Sequence, residues 1–227
     1  MLTDYDAFVN FLRRCYFTSV RKLLFMFIIF GHIRNPIRHT QMIVVLVLCV
    51  IPTFGNAQDT KSVLSVPHGW RVENTTYPPP WANSLPWNGK LELRFPPGFF
   101  KSTSRFFWSY PILYKLQGRC INNDAELKLA LLDYDAGLYG GKYPRKQISI
   151  TVQNPKHGQQ RRPTSLTIKG FDPFTTNKPL TTYLEIQRRY DDRADLTTIL
   201  ILRSPRPADK KDPIWKSLYR FRKDAGF

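Results

Sequence analysis

The sequence predicts an α+β domain: a largely antiparallel sheet of about six or seven strands with two helices packed on it. Three observations carry this. Short alternating segments recur from Trp70 onward, separated by Pro, Gly and Asn-Gly corners. Two segments have helical spacing and an N-terminal cap. The order is three strands, helix, four strands, helix, without regular βαβ alternation.

The 227 residues divide near position 57. Residues 1–57 form a leader with two apolar runs, Leu23–Gly31 and Met42–Phe54. The second has the pattern of a signal peptide. Arg34 and Arg38 precede it, MIVVLVLCVIPTF forms the apolar stretch, and Gly55-Asn56-Ala57 offers small residues for cleavage before Gln58. Its 13 residues fall short of the roughly 20 that span a bilayer. The expectation is a secreted or periplasmic protein, the alternative a domain anchored to the membrane by an uncleaved leader. A long segment before the run points to a biological start at Met26 or Met42; the alternative is a real first segment with Leu23–Gly31 lying in or on the membrane.

Residues 58–227 read as a single globular domain, long enough to bury a core. The stretch Trp70–Leu116 organises it, holding four of the five tryptophans together with seven prolines. Trp70–Tyr77 suits a first strand, closed by Pro78-Pro79-Pro80. After the Asn88-Gly89 turn, Leu91, Leu93 and Phe95 alternate with Glu92 and Arg94, which predicts a half-buried strand with both charges on its outer face. Pro96-Pro97-Gly98 ends it. Phe106–Leu116 is the third strand, with Trp108, Tyr110, Ile112, Tyr114 and Leu116 on one face; Pro111 argues for an edge or a bulge.

A helix is expected over Asn123–Tyr139. Asn123 and Glu126 form a capping-box-like pair, and Leu127, Leu131, Tyr134 and Leu138 share a face. Strands follow at Gln147–Val152, Ser165–Phe171, Leu180–Arg189 and Leu196–Arg203, the last two a hairpin around the charged turn Tyr190–Asp195. A basic loop with Lys156, His157, Arg161 and Arg162 separates the first two. Asp212 caps a final helix with Pro213 in its first turn and Ile214, Leu218 and Phe221 on its apolar face.

Six of the 34 basic residues and two of the 17 acidic ones precede Gln58, which leaves 28 against 15, a net of +13. This charge suits anionic partners such as acidic glycans, a membrane surface or nucleic acid, or serves as general solubilising charge. Cys120 is the one cysteine after the leader, so no disulfide forms within the domain; it reads as a small buried hydrophobe.

From Trp70 onward the chain resembles a family of uncharacterised secreted bacterial proteins of about this length. The resemblance lies in Tyr77-Pro78-Pro79, the run Gly89–Gly98 around Arg94-Phe95-Pro96-Pro97-Gly98, Trp108-Ser109-Tyr110, Ser204-Pro205-Arg206-Pro207 and Ile214-Trp215-Lys216-Ser217-Leu218. Leu91 stands where the family pattern has a glutamate. The resemblance implies a secreted single domain and brings no activity with it.

Candidate site residues are few. Trp81 and Trp87, in loops between strands, offer rings for stacking on sugars or bases, against a packing role, and Trp108 and Tyr110 join them as candidate ligand-binding residues. Glu92 and Arg94 form either a polar feature beside them or an ordinary surface pair. His68 and His157 read as loop histidines, since no Gly-x-Ser-x-Gly elbow accompanies them. Asp191, Asp192 and Asp195 read as a solvated turn rather than a calcium loop, and Asp133 and Asp135 point to different sides of their helix. No residue pattern calls for a catalytic group, metal or cofactor. The function expected is an exported domain binding an anionic or carbohydrate ligand or a protein partner through Trp70–Tyr110. The alternatives are a cell-envelope hydrolase, and a nucleic-acid-binding protein on charge alone.

Overall fold

The computed structural model describes residues 62–153 and 163–227. The leader, His157 and most of the basic loop lie outside these described residues, and with them the expectations placed there. Seven strands form one antiparallel sheet: β1 (Arg71–Tyr77), β2 (Gly89–Phe95), β3 (Tyr110–Gln117), β4 (Ser149–Gln153), β5 (Thr164–Phe171), β6 (Pro179–Asp191) and β7 (Leu196–Ser204). The spatial order is β1-β2-β3-β7-β6-β5-β4. Two helices, α1 (Asp124–Leu138) and α2 (Pro213–Asp224), pack on it. The α+β expectation holds, with the helices on opposite faces. Among the described residues no helix is long and apolar enough to cross a membrane.

Period-two alternation builds both faces. Leu91 and Leu93, then Ile112 and Tyr114, then Ile199 and Ile201 stand opposite one another across three strands. They form one core with Leu127, Leu131, Tyr134 and Leu138 of α1. The intervening positions Leu113, Leu200 and Leu202 turn to the other face, where Ile214, Trp215, Leu218 and Phe221 of α2 cover them. The caps form as the residues imply. Asn123 Oδ1 accepts from Glu126 N at 2.9 Å, and Asp212 Oδ1 accepts from Ile214 N at 2.7 Å. Gly137 lets the 3-10 turn Pro80–Ala82 lie directly on α1, since a Cβ there would stand 1.8 Å from the Trp81 carbonyl oxygen.

Three expectations are corrected. The third strand starts at Tyr110, not Phe106, because the preceding residues form a chain of turns and Trp108 adopts a φ of 51°. Pro111 marks neither an edge nor a bulge. It is the second residue of an interior strand, beyond the last β2 pairing at Leu93–Ile112, so its missing N–H leaves no gap on that side.

The third correction concerns Glu92 and Arg94, which are 6% and 0% exposed rather than on a solvated face. Residues 62–65 lie over them. Glu92 accepts from Val63 N and Leu64 N at 3.0 Å each, and Arg94 donates to the carbonyls of Leu64 at 2.8 Å and Ser65 at 3.3 Å. The two charges pair at 2.9 Å. They fasten the incoming chain to the sheet, and Leu64 fills the core under α2.

Glu73 on β1 stands opposite Leu93 and turns its half-buried carboxyl toward the α1 side without an ion pair among the described residues. Burial pushes it up to about 7. The folded chain therefore holds a proton that the unfolded chain releases from about pH 4.5 upward, so stability falls as pH rises from there to about 7. Glu73→Gln should remove this slope and be the more stable form at pH 8, by about 1–3 kcal/mol. Urea unfolding of both proteins at pH 5 and pH 8 checks it; parallel pH profiles would refute it.

Candidate functional site

A groove of about 600 Å³ opens at one end of the sheet. Its walls are Gly69 and Arg71 at the start of β1, the turn segment Phe95–Ser102 after β2, and Thr175 from the loop after β5. This volume is in the range of small-molecule sites, about 300–1,000 Å³. Pro96 and Pro97 end β2, and Gly98 reverses the chain with a φ of 82°. No larger residue fits there, since a Cβ would stand 2.4 Å from Ser104 Oγ. Successive turns then place Phe99 inward and leave Phe100 partly open.

The floor is a set of rings in tilted and edge-to-face contact, backed by Phe174 beneath them. Phe99 meets Phe95 at 4.8 Å and Phe100 at 4.7 Å, and Phe100 meets Phe174 at 5.8 Å. Exposed Arg71 and Lys101 bring two positive charges to the rim, and no described lining residue is a carboxylate, imidazole or thiol. The groove is thus apolar at its base and cationic at its edge.

A buried polar chain holds that floor in place. Thr175 Oγ1 donates to the Phe100 carbonyl at 3.0 Å. Asp172, fully buried, gathers the loop by accepting from the backbone N–H groups of Phe174, Thr175 and Thr176. It also accepts from Trp108 Nε1 at 3.0 Å. The Arg203 guanidinium lies 5.3 Å from the Trp108 ring centroid, and binds Asp135 of α1 through two bonds of 2.6 and 2.8 Å. Burial opposes the Arg203 charge, but Asp135 and the neighbouring tyrosines more than offset it and hold the group above its ordinary value. Tyr139 adds a third bond to Asp135 at 2.9 Å.

The expected site residues do not form one surface. Trp108 and Tyr110, each 1% exposed, meet half-buried Trp81 around an apolar cavity of about 10 Å³. That volume is at the lower limit for one water molecule, and no sugar ring fits. Trp81 packs its ring on Tyr134 at 5.8 Å, and Trp87 packs on the same core. Glu92 and Arg94 lie across the sheet, on the α2 side. The sequence reading missed Arg71, Phe99, Phe100, Lys101 and Thr175. A signal was present in Pro-Pro-Gly-Phe-Phe-Lys, two large rings and a cation directly after a forced reversal.

The remaining candidates have ordinary roles. Asp133 pairs with exposed Arg145, while Asp135 is buried on another side of α1. Asp191 accepts from Arg193 N and Ala194 N, Asp192 pairs with Arg119, and Asp195 accepts from the Tyr190 hydroxyl. Cys120 is buried and free, and its surroundings push the thiol up, burial first. His68 sits exposed in a turn.

Asp135→Ala should cost about 3–5 kcal/mol of stability, because it strands a buried guanidinium. Asp135→Leu combined with Arg203→Met should recover most of that loss. Urea midpoints of the three proteins decide it: a double variant as weak as the single one would show that shape, not charge, is what the pair supplies.

No family model, curated protein or solved structure matches this chain.

Proposed function

We propose that this chain is an exported binding domain whose groove takes an anionic ligand with an apolar face, an acidic saccharide being the class that suits it best. The observation that carries the reading is the pairing of an aromatic floor, centred on Phe100, with the Arg71 and Lys101 rim. The C–H face of a sugar ring packs on aromatic carbon, and carboxylate or sulfate groups meet the two cations. The basic balance of the domain supports the same ligand charge. Export is supported by the apolar run Met42–Phe54 and the small residues before Gln58. A hydrolase reading has no general acid or base among the described groove residues to work with.

Two experiments test this. N-terminal sequencing of the native protein by cell fraction should find a chain starting at Gln58 outside the cytoplasm; an intact chain in the cytosol would overturn export. Calorimetric titration with uronic-acid oligosaccharides should give binding that weakens with salt and exceeds that of neutral analogues. Phe100→Ala and Lys101→Glu should each weaken it about tenfold or more. Binding that neither substitution alters would place the ligand elsewhere.

A further inference from the structure

The outer face of α2 carries a cationic stripe. Lys216, Arg220 and Lys223 are exposed and spaced four and three residues apart, so they project on one side of the helix over about 10 Å. They stand opposite Ile214, Leu218 and Phe221, which face the sheet. Among the described residues none of the three has an ion pair, whereas seven other arginines each have a carboxylate partner. The carboxylates at the helix ends are already engaged. Asp212 caps the helix and binds Arg206, and Asp224 accepts from Ser65 N and Oγ at 3.0 and 2.6 Å. The neighbouring Arg222 is neutralised by Glu185 and lies over Tyr219. Asp224, one turn beyond Arg220, keeps its charge, since the Ser65 donors that hold it are neutral; it makes no ion pair with the stripe among the described residues, so the face keeps an excess of positive charge, and exposed Lys210 and Lys211 precede it.

The place where the chain enters the domain adds a second observation. The Ser65–Asp224 contact puts residues 62–65 beside the C-terminal end of α2. The apolar run Met42–Phe54 ends eight residues before Ser62. That span covers at most about 28 Å of extended chain. In a chain that keeps the leader, that length is the upper limit on the distance between the run and Ser62.

We propose that the outer face of α2 rests on an anionic membrane surface, with Lys216, Arg220 and Lys223 against lipid phosphates. The tether in this arrangement exists only in a chain that keeps Met42–Phe54, before cleavage at Gln58 or without it; the stripe belongs to the domain and remains after cleavage. Basic side chains near an anionic bilayer contribute about a factor of five each, so three give roughly a hundredfold, lost at high salt.

The test is co-flotation of the full chain with vesicles of phosphatidylcholine alone and of phosphatidylcholine mixed with phosphatidylglycerol. Binding to the neutral vesicles reads the apolar run. The excess on anionic vesicles reads the stripe. Lys216→Gln, Arg220→Gln and Lys223→Gln together should abolish that excess, and the corresponding Glu substitutions should do so more strongly. The same change of charge at Lys128, Lys146 and Lys178, which are exposed elsewhere, should leave it in place. Equal loss in both sets would reduce the effect to net charge and overturn the proposal. So would the absence of any anionic excess, or a stripe variant that keeps vesicle binding while losing retention on duplex DNA.

Discussion

The bidentate pair between Arg203 and Asp135 ties the domain together. It joins the interior strand β7 to α1 inside the larger core, and both groups are essentially removed from solvent. A buried ion pair adds little to stability compared with apolar side chains of the same volume. What it adds is direction, because a guanidinium fork meets a carboxylate in only a few orientations. Here it sets α1 against the sheet, places Trp108 under the cation and, through Asp172, fixes the loop that supports the groove. The shape of an exposed groove thus begins with two charges far beneath it.

The opposite face shows a second use of buried charge. Glu92 and Arg94 act on backbone rather than on each other alone, taking the N–H and C=O groups of residues 62–65 that would otherwise go unpaired. The two networks divide the work. One aligns a helix, and the other ends the search of an incoming strand of chain for its place. Neither requires a reaction centre, and both consume charged residues that a reading for catalysis would single out first.

The sheet, the helices and their caps were legible in the sequence because each is encoded locally. Asn123 with Glu126, Asp212 with Pro213, and the alternation of Leu196–Arg203 lie within single elements. Burial of Glu92 and Arg94 was not legible. Alternation assigns them to one face and is silent on whether that face is covered, and the cover comes from residues about 30 positions earlier and from α2. Arg203 and Asp135 are 68 residues apart, so no window contains both. The groove was hidden for another reason. Phe99, Phe100 and Lys101 follow a Pro-Pro-Gly stop and look like a connection, while their neighbours in space, Arg71 and Thr175, come from other elements. The tryptophans drew attention by their size, and size is what placed Trp108 in the interior.

The strand order also has a consequence for how the chain becomes a domain. β1–β3 form one meander and β4–β7 another, each built from neighbours in sequence, and the two meet along a single seam between β3 and β7. Even the nearest residues across that seam, Gln117 and Leu196, are 79 positions apart. Loop closure of that length adds a conformational cost to the seam that the hairpins within each meander do not carry. A nascent chain leaves one edge of β3 unpaired until almost the whole polypeptide has emerged, since α2 and β7 come last. The seam therefore closes only when the final thirty or so residues are present.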